Sequence, residues 1–168
     1  FSLTEAGYSP DFVGSLKNGI PVDFDRDHDG HSGWSTDEIL NGRLSDPSAG
    51  NLAIWLPDSE PDIILLHIGT NDIGEIGYDQ DQSTANVAAI LDEIDSFENA
   101  NGPIWVILAR IITRNCITDF PIPCLESVET TAFNDSVATM VQDRIDLDGD
   151  KILIVDMEDG ANIDYHLS

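Results

Sequence analysis

The residues with most chemical potential lie in His67-Ile68-Gly69-Thr70-Asn71-Asp72. They follow the apolar run Ile63-Ile64-Leu65-Leu66, which reads as a buried parallel strand. Open α/β sheets place their chemistry at the carboxyl ends of such strands. Asn71 offers a side-chain amide there, and a fixed amide donor can stabilise the oxyanion of an acyl-transfer intermediate. The same residue type also makes Asx-turns and helix caps. A second candidate is Gly30-His31-Ser32-Gly33-Trp34, close to the Gly-x-Ser-x-Gly nucleophile elbow. Trp34 replaces the second glycine, and a polar loop precedes the segment instead of a strand. Ser32 is therefore a weak candidate nucleophile.

Acidic turns raise the question of calcium. Asp25-x-Asp27-x-Asp29-Gly30 matches the front half of a calcium-binding helix-loop-helix. The twelfth position, where a bidentate acid is needed, falls on Thr36. Asp146-x-Asp148-Gly149-Asp150 is a second acidic turn without glycine at the sixth position. Oxygen-rich turns recruit calcium, but they are also ordinary solvated turns. The cysteines and histidines lack zinc-ligand spacing.

Four segments must position these groups. Asp11–Gly14, Asp62–Ile68, Pro103–Arg110 and Lys151–Asp156 are rich in β-branched or large apolar residues without polar alternation, as expected of strands covered on both faces. Helices are expected between them. Ser35 or Thr36 caps a first one. Ser83 or Thr84 opens a second, with Val87, Ile90, Leu91, Ile94 and Phe97 at helical spacing and Asn101-Gly102-Pro103 as its stop. Thr130 to Ile145 forms a third. The alternation predicts an α/β fold with a doubly wound parallel sheet.

The 168 residues form one domain on length alone and can bury a real core. Hydrophobic residues make up 41%, which argues against disorder. The formal net charge is −25, from 32 acidic and 7 basic residues. Such a surface repels nucleic acid and anionic membranes. No apolar run is long enough to span a bilayer. Cys116 and Cys124 share one Pro-rich loop, which suggests a local disulfide and an oxidising, extracellular compartment; two free thiols are the alternative.

Gly69-Thr70-Asn71-Asp72 resembles the third signature block of the SGNH (GDSL-type) esterases. Phe12 to Gly19, followed by Asp27 to Trp34, resembles the region of the second block in the same family. The likeness is greatest to the carbohydrate esterases, such as acetyl xylan esterases, and covers nearly the whole chain. It implies a flavodoxin-like α/β fold and hydrolysis of short acyl esters, acetyl above all, on sugars or small molecules. It also implies that the Gly33 backbone N–H and the Asn71 side chain hold the oxyanion, with no cofactor required. Asp72 would brace the loop. Ser15 would be an ordinary strand-end serine, and His67 a packed core residue.

The family's Gly-Asp-Ser nucleophile block and its Asp-x-x-His-Pro block do not occur. The resemblance therefore reads the chain as part of such a domain, lacking the central first strand. His166, two residues after Asp164, is the one histidine near the expected catalytic block and a weak candidate base. A missing central strand would leave unpaired edges, to be filled by a complementing segment or a second copy. Two other functions fit the same residues. One is a binding module without turnover; the other is a calcium-stabilised structural domain.

Overall fold

Three segments of unbroken apolar sequence form the parallel sheet. The computed structural model describes residues 5–17, 25–73, 77–112, 125–157 and 160. Within them, β1 (Leu16–Lys17) and β2 (Asp27–His28) make a two-residue antiparallel pair. Helices α1 (Thr36–Asn41) and α2 (Leu52–Ser59) follow. Then come β3 (Ile63–Leu66), α3 (Gln80–Asn101), β4 (Trp105–Ala109), α4 (Leu125–Leu147) and β5 (Ile152–Val155). The sheet order is β3-β4-β5, all parallel, with Ile63 opposite Trp105 and Val106 opposite Ile152. The fold is α/β, as expected, with a parallel sheet flanked by helices.

Strand alternation sends Ile64, Leu66, Val106, Leu108, Ile152 and Ile154 toward the helices. There they meet Val87, Ile90, Leu91 and Ile94 of α3 and Phe133, Val137 and Val141 of α4. The opposite face differs from expectation. Ile63, Leu65, Trp105 and Leu153 are exposed, Leu65 by 67%. The described residues cover one face of the three strands, although the sequence of each strand is apolar on both.

Asp11–Gly14 is not a strand. Its backbone donors go to side chains instead: the Phe12 N–H donates to Asp25 Oδ2 at 2.9 Å, and the Ser15 N–H to Asp29 Oδ1 at 2.8 Å. Such local acceptors compete with a sheet ladder. Short pairing resumes only at Leu16. Ser15, which also donates its hydroxyl to Asp29, precedes that strand rather than ending one. His67 is exposed just beyond β3, not packed in the core.

Side chains satisfy free backbone groups at the starts of α1 and α3. Ser35 caps α1 in a reciprocal capping box with Glu38. Asp79, not Ser83 or Thr84, caps α3 by accepting from the Gln82 N–H at 3.0 Å. This frees Ser83 to join the buried stripe. Gly102 ends α3 as expected. Helix α4 starts five residues before Thr130, at Leu125. Helix α2 has no periodic apolar pattern and holds Pro57, yet buries Trp55 and Leu56. Asn134 on α4 donates to the Ile111 carbonyl and accepts from its N–H, both at 3.0 Å, closing the backbone after β4. Arg144 draws α3 and α4 together by pairing with Asp92, Asp95 and Asp150.

Candidate functional site

The loop after β3 meets the turn before α1, and two adjacent residues make the joint. Gly69 opens the loop with φ of 108°. A Cβ there would lie 2.4 Å from the ring of buried Phe133, so backbone and packing both demand glycine. The Asp72 N–H then donates to the Gly69 carbonyl at 3.1 Å, which curls the loop.

Asn71 and Asp72 both reach across to the α1 turn. Asn71 donates through Nδ2 to the Trp34 carbonyl at 2.9 Å. That nitrogen carries two hydrogens. One is fixed by Trp34, and the other has no acceptor among the described residues. Asp72 is buried and accepts from the Thr36 N–H at 3.0 Å and from the Thr36 hydroxyl at 2.5 Å. Asn86 of α3 donates to that hydroxyl at 3.1 Å, and Gln82 donates to Asn86 at 2.9 Å. Asp72 thus braces the loop, as expected, and a carboxylate at the first turn of α1 also suits the helix dipole.

Gly33 lies in the exposed turn between His31 and Trp34, with φ of 75°. Its carbonyl accepts from Arg43 Nη2. The same guanidinium grips both oxygens of Glu38 at 2.7 Å. Arg43 holds the Glu38 carboxyl below its usual range. The structure therefore brings Asn71 to the loop that carries Gly33, one residue beyond it.

Ser32 occupies the same exposed turn, between the two-residue β2 and α1 and not directly at the end of a strand of the parallel sheet. Among the described residues no histidine hydrogen-bonds to it. His166, Cys116 and Cys124 lie outside the described residues. The acidic loop spends its carboxylates on the protein. Asp25 accepts from the Phe12 and Asp27 N–H groups, Asp27 pairs with Lys17 at 2.9 Å, and Asp29 takes Ser15 and Ser59. Among the described residues no group of three or more such ligands gathers to hold a metal.

Several contributors escaped the sequence reading. Asn86 could have been found as a polar residue within the apolar stripe of α3. Trp55 and Arg43 carried no such signal, because only the fold brings them to the Gly33 turn.

No protein-family profile matches the chain. Over 96 residues it is 32% identical to a multidomain esterase of Ruminococcus flavefaciens, which covers 53% of this chain and 12% of that protein. The chain thus spans about an eighth of that curated relative. Two solved structures share its fold. One is a mutant acetyl esterase crystallised with an acetate ion, 27% identical, with a TM-score of 0.74 over 96% of this chain and 72% of that one. The other is a carbohydrate esterase family 3 protein from Talaromyces cellulolyticus, also 27% identical, with a TM-score of 0.73 over 95% and 70%. The chain has the α/β fold of these esterases, in agreement with the motif resemblance.

Proposed function

We propose that this protein is a serine esterase that removes short acyl groups, acetyl foremost, from carbohydrate or small-molecule esters. One observation carries the reading: Asn71 sits at the mouth of β3 with one amide hydrogen fixed on Trp34, beside the Gly33 turn. The acetyl and carbohydrate esterases that share the fold support the choice of ester.

In this reading a serine attacks the ester carbonyl and a histidine takes its proton. The carbonyl oxygen gains charge and receives hydrogen bonds from the Gly33 N–H and the second Nδ2 hydrogen of Asn71. Collapse expels the alcohol, protonated by the same histidine, and water then releases the acid by the reverse steps. Both donors are held before the substrate arrives, so little reorganisation opposes the reaction. The strongly acidic surface suits neutral substrates such as acetylated sugars better than anionic ones.

The test is hydrolysis of 4-nitrophenyl acetate and acetylated xylan by the full-length protein, with fluorophosphonate labelling mapped by mass spectrometry. Turnover with one labelled serine is expected, and its position identifies the nucleophile, Ser32 included. Binding of acetylated glycan with neither turnover nor label would replace the esterase reading with that of a binding module.

A further inference from the structure

His31 has no part in the chemistry above, yet its ring is built into the base of the Gly33 turn. The imidazole stacks on Trp55 of α2 with ring centroids 4.2 Å apart and planes 14° from parallel. It also lies 4.5 Å from the Trp34 ring. The two indoles are themselves 5.9 Å apart, so the three rings form one cluster. Trp34 and Trp55 are buried, and the Trp55 indole N–H is fixed on the Ala49 carbonyl at 2.9 Å. His31 Nε2 is buried too and has no hydrogen-bond partner among the described residues. Trp34 carries the connection onward. Its carbonyl holds Asn71, and its ring lies 5.2 Å from the Arg43 guanidinium that bonds the Gly33 carbonyl.

Resting on the esterase reading, we propose that His31 is a positioning residue. Its neutral ring, packed against both Trp34 and Trp55, sets the orientation of the Gly33 turn and, through the Trp34 carbonyl, of the Asn71 amide.

The neutral form is the one that fits. A neutral imidazole leaves Nε2 as an unmade hydrogen bond, whereas a charged ring would bury an N–H donor with nothing to receive it. Burial accordingly lowers the His31 pKa from 6.5, the ordinary value. The charged groups facing the ring divide. Asp29 on its own loop and Asp46, just before the Pro47–Ala49 turn, favour the cation, while His28 and Arg43 oppose it. From α2 the facing group is the neutral Trp55 indole. Arg43 already lies over the Trp34 face, so a second cation there meets repulsion. Once protonated, His31 gains most by turning toward Asp29 or Asp46, which takes it off the two indoles. Trp34 then loses a packing partner, and its carbonyl moves together with Asn71.

An esterase also loses activity in acid through its own general base, so a rate profile alone does not isolate His31. The Gly33 amide, the Asn71 side-chain amide and the His31 ring are therefore followed by NMR from pH 8 to pH 4. We expect all three to titrate with one midpoint below pH 6.5. In His31→Phe, which keeps an aromatic ring without a proton to gain, the Gly33 and Asn71 shifts with that midpoint should disappear. His31 titrating while both amides stay still would overturn the proposal. So would amides that titrate alike in His31→Phe. Should that variant fail to fold, the shared midpoint in the unaltered protein still decides. The spectra need no substrate: a coupled titration without ester turnover would sink the esterase reading and leave the coupling in place.

Discussion

Asp72→Ala tests the joint between the two site loops and needs no substrate. Asp72 is 8% exposed and Thr36 wholly buried. The carboxylate receives two donors of Thr36, the backbone N–H at 3.0 Å and the hydroxyl at 2.5 Å. Hydrogen bonds to a charged group contribute about 1.5–3 kcal/mol each, and a buried donor left unmade costs about 1–3 kcal/mol. The Thr36 hydroxyl can turn toward another acceptor, whereas its N–H is fixed by helix geometry and cannot. The expected loss is therefore about 3–4 kcal/mol, nearer one strong bond plus one orphaned donor than two full penalties. For a domain whose whole stability is roughly 5–15 kcal/mol, this is a large fraction.

The assay is urea denaturation followed by far-ultraviolet circular dichroism. A loss of that size moves the midpoint by about 1.5–2 M, for a slope of roughly 2 kcal/mol per molar. Asp72→Asn retains one acceptor oxygen and places an amide where the other stood, so its loss should be about half. A loss below about 0.5 kcal/mol for Asp72→Ala, the level of ordinary surface substitutions, would refute the view that Asp72 holds the α1 turn.

Four further outcomes are expected. Asn71→Ala in the active full-length protein should lower kcat on acetate esters by about 100-fold or more with little change in KM, since the lost donor acts in the transition state; an unchanged kcat would remove Asn71 from the oxyanion role. Gly33→Ala should cost only about 1–2 kcal/mol by thermal melting, because φ is 75° but no atom lies within 4 Å of the new Cβ, whereas Gly69→Ala should cost more, since it meets Phe133 at 2.4 Å as well as φ of 108°. Arg144→Met should destabilise by about 2 kcal/mol, the buried-pair penalty reduced for partly exposed partners, and added salt should recover part of it by screening Asp92, Asp95 and Asp150 from one another. The Glu38 pKa is lowered below 4.5 by Arg43, so the stability from this pair is present above the unfolded value and lost as pH falls through the folded one; Glu38→Gln should flatten denaturation midpoints over that acidic window.

The sequence made the sheet legible because β3, β4 and β5 are short, apolar and bounded by Pro, Gly or charge. Asn71 was legible for the same reason: its place at a strand mouth follows once the strand is known. Asp11–Gly14 misled because Phe12 and Val13 have strand-like side chains, while the acceptors that claim the segment's N–H groups, Asp25 and Asp29, stand far along the chain. Helix α2 was hidden by its own composition, since Leu52 to Leu56 form an apolar block without helical spacing and Pro57 reads as a stop. The expectation of strands buried on both faces came from an apolar pattern that is real. Cover is a property of the surrounding chain, and among the described residues it exists on one face.

The site also shows why two signature blocks far apart in sequence form one unit. Thr36 occupies the twelfth position of the acidic loop, where a calcium loop needs a bidentate acid. Here it serves as the first residue of α1, and its N–H and hydroxyl both go to Asp72. Two positions earlier, the Trp34 carbonyl goes to Asn71. A donor and an acceptor on adjacent residues of one loop thus grip an acceptor and donors two residues apart on the other. A shift of register would place the Asp72 carboxylate against a carbonyl, a repulsive contact in a buried setting. The alternation of polarity therefore fixes the register between the loops, and with it the place of the Gly33 turn beside Asn71, before any substrate binds.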